Sequence, residues 1–176
     1  MIKKILLGVI GVLVIGGGAL FVMNGKDNYD ASKYSAKATK GLNAGSTISF
    51  TLPDQFDKPH SLTDDTKKLI LVFAKSTGHT VKGFLKQQDK NYLPQRHTLF
   101  VADISPMPVV IRNTFALPDF KKSPYSVLLI YDKSIAKQFK NEKEADKIAL
   151  VTLEKGVIRT VKYVTTEKEL KAWLDQ

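Results

Sequence analysis

Hydrophobic positions along the chain change period several times, and each change marks an element. An uncharged run from Ile5 to Met23, ILLGVIGVLVIGGGALFVM, comes first. At about 1.5 Å per residue a helix of this length reaches roughly 28 Å, close to the hydrocarbon thickness of a bilayer. Residues 24–47 follow with no sustained apolar period; they are small, polar and lysine-bearing, which is the composition of a flexible linker. Such a linker has an r.m.s. span of roughly 25–30 Å.

From Ile48 the pattern is that of a folded domain. Ile48–Leu52 and a short piece at His60–Leu62 predict a hairpin. Leu69–Ala74 (LILVFA) is a continuous apolar run, as expected of a strand buried on both faces. A turn is expected at 76–81. Thr80–Leu93 then puts Val81, Phe84, Leu85, Gln88 and Tyr92 on one helical face and Lys82, Lys86 and Lys90 on another, ending before Pro94. Thr98–Ala102 reads as a second buried strand, Pro108–Leu117 as a short helix, Tyr125–Tyr131 as a third strand and Ser134–Lys140 as a helix. Ile148–Leu153 and Val157–Val164 flank Lys155-Gly156, a hairpin signal. Thr165-Thr166 with Glu169 predicts a capping box for a last helix whose apolar face holds Leu170, Trp173 and Leu174. The alternation predicts an α/β domain with a mixed central sheet flanked by helices.

Charge sets the topology. Lys3-Lys4 precede the apolar run and Lys26, Asp27 and Asp30 follow it. The positive-inside rule then leaves residues 1–4 as a cytoplasmic stub, 5–23 as a single N-terminal transmembrane helix in the inner (cytoplasmic) membrane, 24–47 as linker and 48–176 as a periplasmic or otherwise extracytoplasmic domain. A cleaved signal peptide competes, since Ile5–Ile15 suffices as its apolar core and Gly17-Gly18-Ala19 offers small residues for cleavage. The continuation through Leu20–Met23 favours the anchor.

The chain carries a net charge of +10, or about +8 with Lys3 and Lys4 set aside. A stripe of Lys82, Lys86 and Lys90 and a cluster of Lys133, Lys137, Lys140 and Lys143 could meet anionic lipid headgroups, cell-wall polymers or an acidic partner. Glu142, Glu144, Glu167 and Glu169 are interspersed, so a solvated face is the plainer reading. An extracytoplasmic domain argues against nucleic acid.

The opening SFTLPDQFDKPHSLTDDTKKLILVFAKS resembles the start of TlpA-type and peroxiredoxin-type thioredoxin-like domains. The ending KIALVTLEKGVIRTVKYVTTEKELKAWL is similar to their closing hairpin and helix, and SVLLIYDKSIAKQF to an extra strand and helix found in peroxiredoxins. The likeness spans residues 48–174 and is closest in style to the YtfJ family of exported thioredoxin-like proteins. It implies a thioredoxin-like fold. In such enzymes a Cys-x-x-Cys or a single reactive Cys opens the helix after the central strand, where the helix terminus lowers the thiol pKa. Here Thr77, Gly78, His79, Thr80 and Val81 occupy that stretch, and the chain has no cysteine. The proline expected before the penultimate strand is also missing, replaced by Glu144-Ala145-Asp146-Lys147. Thiol–disulfide exchange and peroxide reduction are therefore excluded.

Thr77–Val81 remain the candidate binding residues, as a degenerate active-site turn that could pair with a partner's backbone. A histidine at a helix start can act as a base or hold an anion; the plainer reading has Thr77 or Thr80 cap the helix and His79 face solvent. His60 and His97 lack metal-ligand spacing to His79, and Asp54, Asp57, Asp64 and Asp65 lack a calcium-loop pattern, so neither metal nor cofactor is expected. The Ser105-Pro106-Met107-Pro108 turn reads equally as a rigid docking loop and as punctuation. The expected function is non-catalytic: a binding, scaffold or accessory subunit with a protein partner in an envelope complex. The alternative is a non-thiol enzyme or small-ligand binder using His79 and adjacent hydroxyls or backbone amides.

Overall fold

A computed structural model describes residues 25–176. The stub 1–4 and the apolar run 5–23 lie outside the described residues; among those described, no helix is long and apolar enough to cross a membrane.

Two sheets build the domain. The smaller is antiparallel, with β1 (Ser35–Ala38), β2 (Ile48–Pro53) and β3 (Pro59–Ser61) in sequence order. The larger holds β4 (Lys68–Val72), β5 (Thr98–Asp103), β6 (Leu128–Ile130), β7 (Ile148–Glu154) and β8 (Val157–Val164). Its order is β6-β5-β4-β7-β8. β4, β5 and β6 run parallel, while β7 is antiparallel to both β4 and β8. Helices are α1 (Lys75–Leu85), α2 (residues 109–120), α3 (Lys133–Phe139) and α4 (Glu167–Leu174).

The continuous apolar runs follow from a sheet covered on both faces. Along β4, Ile70 and Val72 face a core with Val81, Phe84 and Leu85 of α1 and Leu170, Trp173 and Leu174 of α4. Leu69 and Leu71 face the other way, toward Ile48, Phe50 and Leu52 of β2 and Ile135 and Phe139 of α3. Period-2 alternation thus serves two cores at once. The expected capping box closes: Thr166 Oγ1 accepts from the Glu169 N–H at 3.2 Å while the Glu169 carboxylate accepts from the Thr166 N–H at 3.2 Å. The hairpin β7–β8 turns on Lys155 and Gly156, both at positive φ.

The expected linker is partly folded. Asp30 caps a 3-10 turn at Ala31–Lys33, β1 pairs with β2 from Ser35↔Thr51 to Ala38↔Ile48, and Tyr34 and Leu42 are buried. Composition hid this because β1 exposes Ser35 and Lys37 and turns only two alanines inward. α1 also differs from its expected span. It starts at Lys75, so 76–81 is helix rather than turn, and it stops at Leu85. Downstream, the Asp89 carboxylate takes the Asn91 N–H at 2.8 Å, a local bond that competes with helix continuation.

Candidate functional site

Three parallel strands end side by side, and α/β folds place ligand crevices at such carboxyl ends. A groove of about 650 Å³ opens there. Val72, Phe73, Ala102, Asp103 and Ile104 form its floor, the start of α1 one wall and α2 the other, with Pro106, Met107 and Pro108 at its lip. Lys82 of α1 pairs with Asp119 of α2 and lies 5.0 Å from the Phe120 ring centroid, joining the walls. That lysine's hydrogen bond holds the Asp119 carboxyl below the usual carboxylate range.

The far wall depends on a helix defect. Arg112–Ala116 form a π turn, in which the Leu117 N–H reaches the Arg112 carbonyl. Pro118 has no N–H to offer Thr114, which accounts for the widening. Ile111 and Phe115 face the groove, while Arg112 falls on the opposite flank, buried against a second pocket.

Of the five residues read as a degenerate active-site turn, two border the groove: Gly78 and His79. Thr77 is buried and its hydroxyl donates to the Ala74 carbonyl at 2.9 Å; the Thr80 hydroxyl donates to the Ser76 carbonyl at 3.2 Å. Both protons are committed to the helix's own backbone. Val81 is wholly in the core. No side chain caps α1, so the expected threonine cap does not form, whereas His79 is exposed as its plainer reading had it. The Pro106–Pro108 loop, equivocal in sequence, is part of the site.

Sequence reasoning missed Asp103. It ends β5, faces the groove and accepts the Ser105 N–H at 2.9 Å. Burial holds its carboxyl above the usual range, against the opposing pull of Ser105 and Lys140. The available signal was a carboxylate ending a buried strand just before Ser-Pro.

The other end of the sheet holds a cleft of about 430 Å³ lined by His60, His97, Asp65, Lys90 and Tyr125. His60 Nε2 lies 3.0 Å from Asp54 Oδ2, while Asp54 Oδ1 accepts the Phe56 and Lys58 N–H groups at 2.8 and 3.0 Å. This is turn architecture for the β2–β3 hairpin. Among the described residues no group of three or more His, Cys, Asp or Glu could hold a metal ion. Lys90, expected on one helical stripe with Lys82 and Lys86, lies beyond the end of α1 and lines this cleft.

Solved structures give the arrangement its context. A peroxidoxin, BcpB, from Mycobacterium tuberculosis superposes with a TM-score of 0.52 at 16% identity, covering 76% of this chain and 95% of its own. A protein-disulfide-isomerase candidate from Bacteroides thetaiotaomicron gives 0.51 at 16% identity over 81% and 91%. A thioredoxin candidate from Neisseria meningitidis gives 0.50 at 21% identity over 73% and 87%. No protein-family description and no curated protein sequence matches the chain. At these identities the likeness concerns the fold: the chain has a thioredoxin-like fold, with no cysteine to perform thiol chemistry.

Proposed function

We propose that the protein is a membrane-anchored, extracytoplasmic binding subunit that takes an apolar segment of an envelope protein in the groove between α1 and α2. The groove itself carries this reading: it stands where thioredoxin-like enzymes keep their reactive cysteines, and apolar side chains dominate its lining. Both threonine hydroxyls on α1 are spent on backbone carbonyls, which leaves burial of apolar surface as its main resource. The apolar run 5–23, with Lys3-Lys4 before it, supports the anchor and the orientation.

Affinity capture from solubilised membranes tests it, with tagged full-length chain compared against Met107→Glu. A charge at the groove's lip should weaken partner capture by roughly tenfold or more, the scale of a desolvated hot spot. Undiminished capture by Met107→Glu would place the partner elsewhere.

One observation favours a second reading. Asp103 and His79 line the same groove, and a carboxyl whose pKa is raised by burial is suited to proton transfer. A small molecule that co-purifies and is released by His79→Ala would select this reading over the first.

A further inference from the structure

The tether to the apolar run is much shorter than residues 24–47 suggested. Asp27 pairs with Arg112 Nη2 at 2.5 Å, and Asn113 Nδ2 donates to the Lys26 carbonyl at 2.9 Å. Tyr29 stacks between Tyr34 and Tyr131, with ring centroids 5.6 and 4.7 Å away. The Arg112 guanidinium is buried and lies 4.7 Å from the centre of the Tyr131 ring. From Met23 to the fastened Lys26 is three residues, at most about 10 Å of extended chain. Whatever holds residues 5–23 therefore holds α2 beside it.

The surface around that point has an unusual make-up. Large hydrophobic side chains are exposed among the described residues at Phe56 (53%), Ile111 (47%) and Phe115 (64%). Phe56 lines the same pocket as Tyr29 and Arg112 on one side of α2, and Ile111 and Phe115 stand out on its groove side. Lys26, Lys121 and Lys122 are exposed nearby. The carboxylates of this region are engaged: Asp27 by Arg112, Asp30 by Lys33, Asp57 by the Tyr34 hydroxyl, Asp119 by Lys82 and Asp132 by the Ser134 N–H. Apolar tips among lysines are the composition of a surface that settles into the headgroup region of an anionic bilayer.

We propose that the exposed ridge of α2, with Ile111 and Phe115 on its groove side, Phe56 and the fastened Lys26 on its other side and Lys121 and Lys122 at its end, docks on the anionic lipid surface of the membrane that carries the anchor. The domain then rides with α2 against the headgroups instead of swinging on a stalk. This rests on the anchored reading above. Because Ile111 and Phe115 also border the groove, docking places the groove at headgroup level and restricts its partners to membrane proteins.

The chain has no cysteine, so one engineered thiol is a unique probe site. Full-length Thr114→Cys on α2 and Arg159→Cys on β8, at the far edge of the sheet from β6, are labelled with an environment-sensitive fluorophore and reconstituted into vesicles. With phosphatidylglycerol present, lipids brominated near the headgroup should quench the Thr114→Cys probe several-fold more than the Arg159→Cys probe. Pure phosphatidylcholine should narrow the gap, and adding Phe115→Ser, Lys121→Glu and Lys122→Glu should close it. Equal quenching at both sites in a chain that resists alkaline washing overturns the docking and leaves the anchor standing. Release of the chain by that wash overturns the anchor and the docking with it.

Discussion

The two ends of the central sheet hold openings of about 430 and 650 Å³ that differ in what their polar groups do. Beside the amino-end cleft the buried carboxylate is occupied in holding a turn: Asp54 serves the Phe56 and Lys58 N–H groups and the His60 ring at once. At the carboxyl end the walls are apolar, the threonine hydroxyls point into their own helix and Asp103 is held partly out of water. A His–Asp pair at the edge of a cleft invites a catalytic reading, but the hydrogen bonds assign it to architecture. An apolar groove beside a cysteine-free helix looks inert, yet no structural demand accounts for its exposed apolar side chains. Residues at the amino end should therefore move stability, and those at the carboxyl end should move binding.

Asp54→Ala should give the largest effect. It leaves two partly buried backbone N–H groups without their acceptor, at a cost of about 2–3 kcal/mol, read by chemical denaturation. Partner capture by the folded fraction should not change. Burial pushes the Asp54 carboxyl up, but the Lys58 and Phe56 N–H groups and His60 outweigh it, and its pKa stays below the usual range. A depressed carboxylate contributes stability above its unfolded pKa and loses it as pH falls through the folded one. The gap between the parent and Asp54→Ala should thus shrink on acidification below about pH 4. A variant as stable as the parent at neutral pH would put the functional role back at the amino end.

How much of this was legible in the chain differs between the two ends. Runs such as LILVFA and IALVTL announce buried strands because a doubly covered strand is apolar at every position, and the Thr166–Glu169 box is local chemistry that spacing reveals. The hairpin around Asp54 was readable for the same reason, since turn residues act over a few positions. The groove was only half legible. His79 and the Pro106–Pro108 loop could be placed near it, but its far wall comes from α2, whose register is shifted by a π turn that no periodicity signals. The fastening of Asp27 to Arg112 joins residues far apart in sequence, and polar composition at 24–47 concealed it. Likewise Thr77 and Thr80 looked like available hydroxyls until their backbone acceptors were known.

Lys82→Ala separates the groove's frame from the protein's stability. The Lys82–Asp119 pair bridges α1 and α2, but Asp119 is well exposed, so losing it should cost less than about 1 kcal/mol. The effect on partner capture should be larger than the effect on stability, because the bridge sets the spacing of the two walls. Equal small losses in both measurements would reduce the bridge to an ordinary surface pair.

The smallest effect should also have the opposite sign. Asp103→Asn keeps an oxygen to accept the Ser105 N–H but removes a charge that burial disfavours. With a folded pKa raised above its unfolded value, Asp103 favours the folded state fully only below the unfolded pKa. That contribution is lost as pH rises through the folded value. At neutral pH Asp103→Asn should therefore be slightly more stable than the parent in thermal melts, and the difference should vanish below the carboxylate range. That outcome would favour the second reading, in which Asp103 is kept at a cost to folding because the groove uses it. If Asp103→Asn is instead less stable at neutral pH, Asp103 belongs with Asp54 as a structural carboxylate. The contrast between the two ends of the sheet then narrows to the apolar walls alone.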